Sequence, residues 1–129
     1  MPRHREFVTI SDRIDQLMLD VFVPDERERI PRLSEHLAPD FVFVSPTAVF
    51  EGAQGLSDAY STYRHDERLQ VDVRRTSEVD EHHAHFRFAW ERSERGKPAT
   101  RGWSFGWVDA VGRISRIVTF NDPVPARSS

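Results

Sequence analysis

From Arg68 to Asp122 the chain reads as one long strand after another, with an aromatic at every second residue, and this pattern leaves few folds open. Ala84, Phe86, Phe88 and Trp90 are expected on one face of one strand, and Trp103, Phe105 and Trp107 on one face of the next. A sheet this apolar needs a cover, and the residues before Arg68 offer about three helical stretches to supply it. Helices first and antiparallel strands after imply an α+β layer pair, with space for a pocket between the layers.

The helices follow from spacing and caps. Ile10, Ile14, Leu17, Met18 and Val21 form an amphipathic stripe, and Thr9 or Ser11 with Asp12 can cap its start. The charged stretch Asp25 to Arg29 leads to Pro31, which a first helical turn tolerates and an interior does not, so one short helix is expected around Leu33 and Leu37. Ala38 to Asp40 stops it, Phe41 to Ser45 reads as a strand halted by Pro46, and Ala48 to Glu51 can return as its hairpin mate. Leu56, Ala59, Tyr60 and Tyr63 make a third helical stripe ending near Arg64. A four-stranded meander is then expected, from Leu69, Val71 and Val73 across the polar break at Asp80 and Glu81 to Ala84–Trp90. It continues around a hairpin tip at Glu94–Pro98 into Thr100–Val108 and Ile114–Phe120.

With 129 residues, one domain over residues 1–129 is expected, with residues 123–129 a frayed tail. A net charge of −3 offers no footprint for nucleic acid or anionic lipid. No apolar run approaches the roughly 18–20 residues that span a bilayer, and the first six residues lack a leader's apolar stretch, so a cytoplasmic location and no membrane partner are expected. The absence of cysteine excludes disulfides, thiol nucleophiles and thiolate metal sites.

Leu37 to Pro46, then Glu51–Gly52 opening a helix, then the meander with Gly112, Arg113 and Ile114 before its last strand, resemble the nuclear transport factor 2-like superfamily. Within it they resemble the SnoaL-like proteins related to polyketide cyclases and ketosteroid isomerases. The resemblance covers nearly the whole chain. It implies a cone-shaped curved sheet wrapped on the helices, a deep pocket at the open end, and a homodimer made sheet against sheet. The isomerases' catalytic residues do not carry over. Their general-base Asp corresponds here to Ser45, their protonated Asp to Ser104, and the first helix holds no tyrosine, Tyr60 being the first in the chain. A hydroxyl cannot abstract a carbon-bound proton unaided, so steroid-isomerase chemistry is not expected.

Alternation places Phe41, Phe43, Ser45, Phe86, Phe88, Trp90, Ser104, Thr119 and Asn121 toward the pocket, and Val44, His85, Arg87, Trp103, Phe105, Trp107, Val118 and Phe120 outward; a slip of one residue would exchange the sets. Tyr60 and Tyr63 can lend phenol hydrogen bonds to a ligand from the third helix. Asn121 and Asp122 are the catalytic candidates, because a carboxylate held beside Phe88 and Trp90 could serve as acid or base; a solvated strand end is the plainer alternative. His82, His83 and His85 lack a third ligand at a recognisable spacing and read as surface histidines, so no metal and no cofactor are expected. Arg92, Glu94, Arg95 and Lys97 read as a solvated hairpin tip. Trp103, Phe105 and Trp107 are too large an apolar patch for a monomer's surface and are expected at a homodimer interface, the alternative being that they line the pocket. Two functions fit. One is a cofactor-independent cyclase-, isomerase-, dehydratase- or hydrolase-type enzyme acting on a small apolar substrate; the other is a non-catalytic ligand-binding or interaction domain of the same fold.

Overall fold

The computed structural model describes residues 9–127; His4, the N-terminal residues read for a leader, Ser128 and Ser129 lie outside the described residues. The elements run α1 (Ile10–Asp20), α2 (Glu26–His36), β1 (Leu37–Val44), β2 (Val49–Glu51), α3 (Gly52–Ala59), α4 (Ser61–His65), β3 (Asp72–Arg75), β4 (Asp80–His82), β5 (His85–Ser93), β6 (Thr100–Val108) and β7 (Ile114–Asn121). Among the described residues, seven strands form one sheet in the order β2-β1-β7-β6-β5-β3, with β4 also paired to β5. Strands β1 and β7 run parallel and the other pairs antiparallel. The mixed, unclosed sheet with its four helices is the expected α+β architecture.

Helix α1 starts at Thr9, whose hydroxyl accepts the Asp12 N–H at 3.0 Å, and it buries Ile14 and Leu17. Helix α2 starts earlier than expected. Asp25 accepts the Arg27 N–H at 2.9 Å, so the charged segment 25–29 is the cap and first turn of the helix, and Pro31 stands inside it. Pro31 is exposed, so water can serve the carbonyl its missing N–H would have bonded, while buried Arg29 and Leu33 hold the helix to the core. Strand β1 begins at Leu37, not Phe41, and takes in Pro39 where its register against β7 shifts between Leu37 and Val42; such an irregularity is where a strand admits proline. The third helical stripe breaks at Tyr60 into α3 and α4.

The meander departs from expectation at two places. Leu69 closes a short 3₁₀ turn, Gln70 is left-handed (φ 43°), and β3 begins only at Asp72. Asp80 and Glu81, expected to break the sheet, pair instead as β4; the turn lies at His83 and Ala84, both left-handed (φ 49° and 66°). Ala84 therefore does not share a strand face with Phe86, and His83 does not share one with His85. Hairpin turns with two left-handed residues favour Asn and Gly, so His-Ala carries no turn signal.

Strands β3 and β4 are two halves of one interrupted edge. Residues 76–79 face only Phe88 and Ala89 of β5, the Thr76 N–H bonds to the Ala89 carbonyl, and the Ser77 hydroxyl accepts the Ala89 N–H at 2.8 Å where a backbone carbonyl would otherwise stand. Arg75 clamps this bulge to α1, donating from Nε and Nη2 to the two Asp15 carboxylate oxygens, each at 2.8 Å, and from Nη1 to the Ser77 carbonyl.

The core lies between the helices and the concave face of the sheet. Ile14, Leu17, Val21, Leu33 and Leu56 from the helices meet Phe41, Phe43, Phe86, Phe88, Trp90, Ile114 and Ile117 from the strands. Alternation holds through β5 and β6, with Phe86, Phe88 and Trp90 buried, and Trp103 and Phe105 at 44% and 41% exposure on the convex face.

Candidate functional site

The inner face of β6 carries almost no side chain. Gly102, Ser104 and Gly106 point inward and pair across the sheet with Trp90, Phe88 and Phe86 in turn. A Cβ at Gly102 would collide with the Trp90 ring and the Phe120 carbonyl, and one at Gly106 would collide with the Arg116 carbonyl and lie 3.0 Å from Phe86 Cζ. The two glycines therefore let aromatic rings lie down against the strand, and between them the small Ser104 side chain leaves a hollow. The 2.0 period combined with small residues opposite aromatics is the signal in the sequence for this hollow.

Above it is a cavity of about 300 Å³, roofed by Leu17, Met18 and Val21 of α1 and walled by Phe43, Phe50, Leu56, Tyr60, Tyr63, Phe88 and Trp90. Of the residues expected in the pocket, Phe43, Ser45, Tyr60, Tyr63, Phe88, Trp90, Ser104, Thr119 and Asn121 line this cavity. Phe41 and Phe86 do not; both are buried deeper in the core, where β1 meets β7 and β5 meets Gly106. Asn121 is exposed at the rim, and Asp122 is an exposed residue past the strand end and outside the lining. The solvated strand end is thus the reading that the geometry of Asp122 favours.

The polar groups of the lining are mostly engaged. The Ser45 hydroxyl donates to the Ala48 carbonyl at 3.1 Å and accepts the Thr47 and Ala48 N–H groups, so it builds the β1–β2 turn. Ser104 and Thr119 share a hydroxyl hydrogen bond of 2.8 Å. Residues 102–106 read Gly-Trp-Ser-Phe-Gly, the spacing of a hydrolase nucleophile elbow. They lie in the middle of a strand and not at a strand-to-helix turn, and no imidazole is among the described lining residues, so Ser104 lacks the base a nucleophile needs.

Tyr60 packs against Phe22, Phe43 and Tyr63 at ring distances of 5.7, 6.4 and 6.0 Å. Burial pushes its phenol up to about 12, Tyr63 adds to the effect, and the positive charge of Arg92 opposes it. Tyr60 is therefore a neutral hydrogen-bond donor at physiological pH. Because the folded state holds this proton more tightly than the unfolded chain, the associated stability is complete below pH 10 and declines as pH rises toward 12. Absorbance titration at 295 nm is expected to show a late tyrosinate phase near that pH, which Tyr60→Phe removes; a variant that keeps the late phase contradicts the assignment.

Arg92 was read from the sequence as part of a solvated tip and is instead part of the cavity wall. It is an inward-facing position of β5, two residues past Trp90, and its guanidinium lies over the Tyr63 ring at 5.4 Å from the centroid. The strand extends farther toward the tip than the charge pattern implied. Among the described lining residues there is no Asp, Glu, His or Lys, and Arg92 is the one charged group.

Elsewhere, no group of three or more His, Asp or Glu that could hold a metal occurs among the described residues. His82 and His83 meet through their Nδ1 atoms at 3.1 Å, and the His85 Nδ1 lies 2.8 Å from the His83 carbonyl, all on the exposed hairpin. His36, which carried little signal in the sequence, is wholly buried with Asp20. Arg29 and Arg64 donate to the Val23 and Val21 carbonyls just past the end of α1 and to the Ser57 hydroxyl, tying that turn to α3 beside the cavity. No described helix is long and apolar enough to cross a membrane.

No protein-family model and no curated protein matches the sequence, so the comparison that speaks is one of structure. A SnoaL-like family protein from Agrobacterium tumefaciens superposes with a TM-score of 0.72 at 21% identity, over 86% of this chain and 95% of that one. A hypothetical protein with a ketosteroid isomerase-like fold from Catenulispora acidiphila, in complex with trimethylamine, gives 0.65 at 15% identity over 87% and 86%. TerC co-crystallized with polyporic acid gives 0.59 at 15% identity over 85% and 91%. The parallel β1–β7 pair, the curved antiparallel strands and the helical cover thus make the nuclear transport factor 2-like cone the fold of this chain.

Proposed function

We propose that this chain is a small-molecule pocket protein that binds a compact, largely apolar ligand without acting on it by acid–base catalysis. One observation carries the reading. The cavity of about 300 Å³ is walled by aromatic and aliphatic side chains, and its described lining contains no carboxylate and no imidazole to move a proton at neutral pH. Phe43, Phe88 and Trp90 are the apolar walls in this proposal, and Tyr60, Tyr63, Ser104 and Thr119 the hydroxyl contacts. Two structural neighbours hold small organic molecules, trimethylamine and polyporic acid, which supports a small-molecule role for the fold without naming a ligand here. The test is ligand-observed NMR with one- and two-ring aromatic compounds, followed by product analysis after long incubation. Saturable binding with unchanged compound is expected, and failure of every compound to bind would overturn the proposal.

The second reading, a cofactor-independent enzyme, is favoured by the position of Asn121 at the cavity rim, where its amide can polarise a substrate carbonyl. Under that reading Asn121→Ala abolishes turnover of an identified substrate and Asp122→Asn does not. Chemical conversion by wild type in the incubation above would decide for the enzyme.

A second copy of the chain is the proposed partner of the convex face. Trp103, Phe105 and Phe120 are 44%, 41% and 56% exposed, Phe105 and Phe120 stack at 5.7 Å, and Trp107 lies beside them under Arg116. Such a patch is large for a lone molecule, and each ring contributes roughly 1.5–3 kcal/mol on burial. Trp103→Ala is expected to weaken self-association at least tenfold in sedimentation while leaving ligand uptake within about twofold. A wild type that sediments as a monomer at every concentration would remove this partner.

A further inference from the structure

Arg92 is a cation built into an apolar cavity and left without a hydrogen-bonded counter-charge. Its nearest carboxylate among the described residues is Glu94, with 3.5 Å between Nε and Oε1, and Nε makes no hydrogen bond. The other oxygen of Glu94 is taken by Lys97 Nζ at 3.1 Å. The arginine side chain is only 27% exposed, so water serves it poorly, while the Tyr63 ring supports its guanidinium plane from one side. One inward position earlier on the same strand, Trp90 is 6% exposed and its indole N–H is enclosed without an acceptor. The wall of β5 thus presents donors in excess. Across the cavity Phe43 and Phe50 are apolar, and Tyr60 is a phenol held in its neutral, donating form.

A half-buried guanidinium has five N–H donors and no acceptor capacity, so an occupant that satisfies it must bring acceptors, and a carboxylate brings two oxygens at matching spacing. An apolar body is required as well, because most of the cavity wall offers only carbon. We propose that the ligand is a small organic acid, with its anionic head received by Arg92 and its apolar body lying against Phe43, Phe88 and Trp90. This inference rests on the small-molecule reading of the cavity and adds to it the ligand's charge. It makes Arg92 the residue that selects acids over neutral molecules of the same shape, and Glu94 the group that holds Arg92 in place until the acid arrives.

The experiment compares three matched pairs by ligand-observed NMR: benzoate with benzamide, 4-phenylbutanoate with 4-phenylbutanamide, and 1-naphthoate with 1-naphthamide. Wild type is expected to bind at least one acid tenfold or more tightly than its amide, with added salt weakening the acid and leaving the amide unchanged. Arg92→Gln is expected to erase the preference by weakening the acid at least tenfold and the amide less than threefold, and Arg92→Lys to keep part of it. Acid and amide binding equally, or the amide more tightly, would overturn the acid assignment and leave the cavity reading intact. Binding of neither member of any pair would overturn both. The acid-to-amide ratio and its salt dependence are read on unaltered protein, so the result does not depend on a variant folding.

Discussion

Gly102→Ala is expected to destabilise the fold by about 3 kcal/mol and to weaken ligand binding more than tenfold. The added methyl would collide with the Phe120 carbonyl on one side and the Trp90 Cζ2 on the other, with Trp90 Cε2 at 2.8 Å. The carbonyl belongs to β7, whose register with β6 pairs Gly102 with Asn121, so it can move only if the ladder opens locally. The indole can move only into the cavity. Both responses damage the site, the first by loosening the strand that carries Thr119 and Asn121, the second by filling the space a ligand needs. Ser104→Ala is the control on the same face of the same strand. It removes the hydroxyl bond to Thr119 and adds no atom, so a loss of about 1 kcal/mol is expected. Urea unfolding monitored by circular dichroism measures both, and a Gly102→Ala protein within about 0.5 kcal/mol of wild type would show that the ring does not lie where its contacts place it.

Asp20→Ala should be the more damaging change to stability, at about 3–5 kcal/mol. Asp20 and His36 are the last residues of α1 and α2, with 1% and 0% exposure. The carboxylate Oδ2 lies 2.9 Å from His36 Nε2, Oδ1 accepts from Gln16 Nε2 at 3.0 Å, and Arg32 Nη1 stands 3.9 Å away. Truncation takes an acceptor from His36 and Gln16 and leaves a polar void between α2 and α1, the helix that roofs the cavity. A double-mutant cycle with His36→Ala separates the pair from the packing, and a coupling above 1 kcal/mol is expected. If Asp20→Ala loses less than about 1 kcal/mol, the pair does not hold the helices together.

These two changes also mark the limit of what periodicity can express. Phe86, Phe88 and Trp90 against Trp103, Phe105 and Trp107 were legible because a strand assigns each residue a face by counting, and one correct register sorts a whole sheet. Asp20 and His36 are sixteen positions apart on two helices, and no spacing rule brings their side chains together. The His83–Ala84 turn was hidden for a related reason, since its residues carry none of the usual preference for left-handed backbone and the charges at Asp80 and Glu81 made a more obvious break. Arg92 was misplaced because a charge near a hairpin tip is usually solvated; only the length of β5 shows that it still alternates inward. For the candidate site, the inward faces of the strands were legible, Ser104 among them, but the hollow that Gly102, Ser104 and Gly106 make together shows only once the register against β5 is known. Their meaning depends on which rings stand opposite.

The interrupted β3–β4 edge determines how copies of this molecule can meet. One border of the sheet is split into stubs of four and three residues by the bulge that Ser77 fills and Arg75 locks to α1; the other border, β2, is three residues long. Neither gives an incoming chain enough unpaired backbone to template a filament, and the charged Asp72, Arg74 and Asp80 along the split border add to the barrier. The exposed aromatic rings Trp103, Phe105 and Phe120 lie on the convex face, away from both borders. If two copies pair through that face as proposed, the contact uses the same patch on both and closes on a pair, whereas edge addition would propagate without limit.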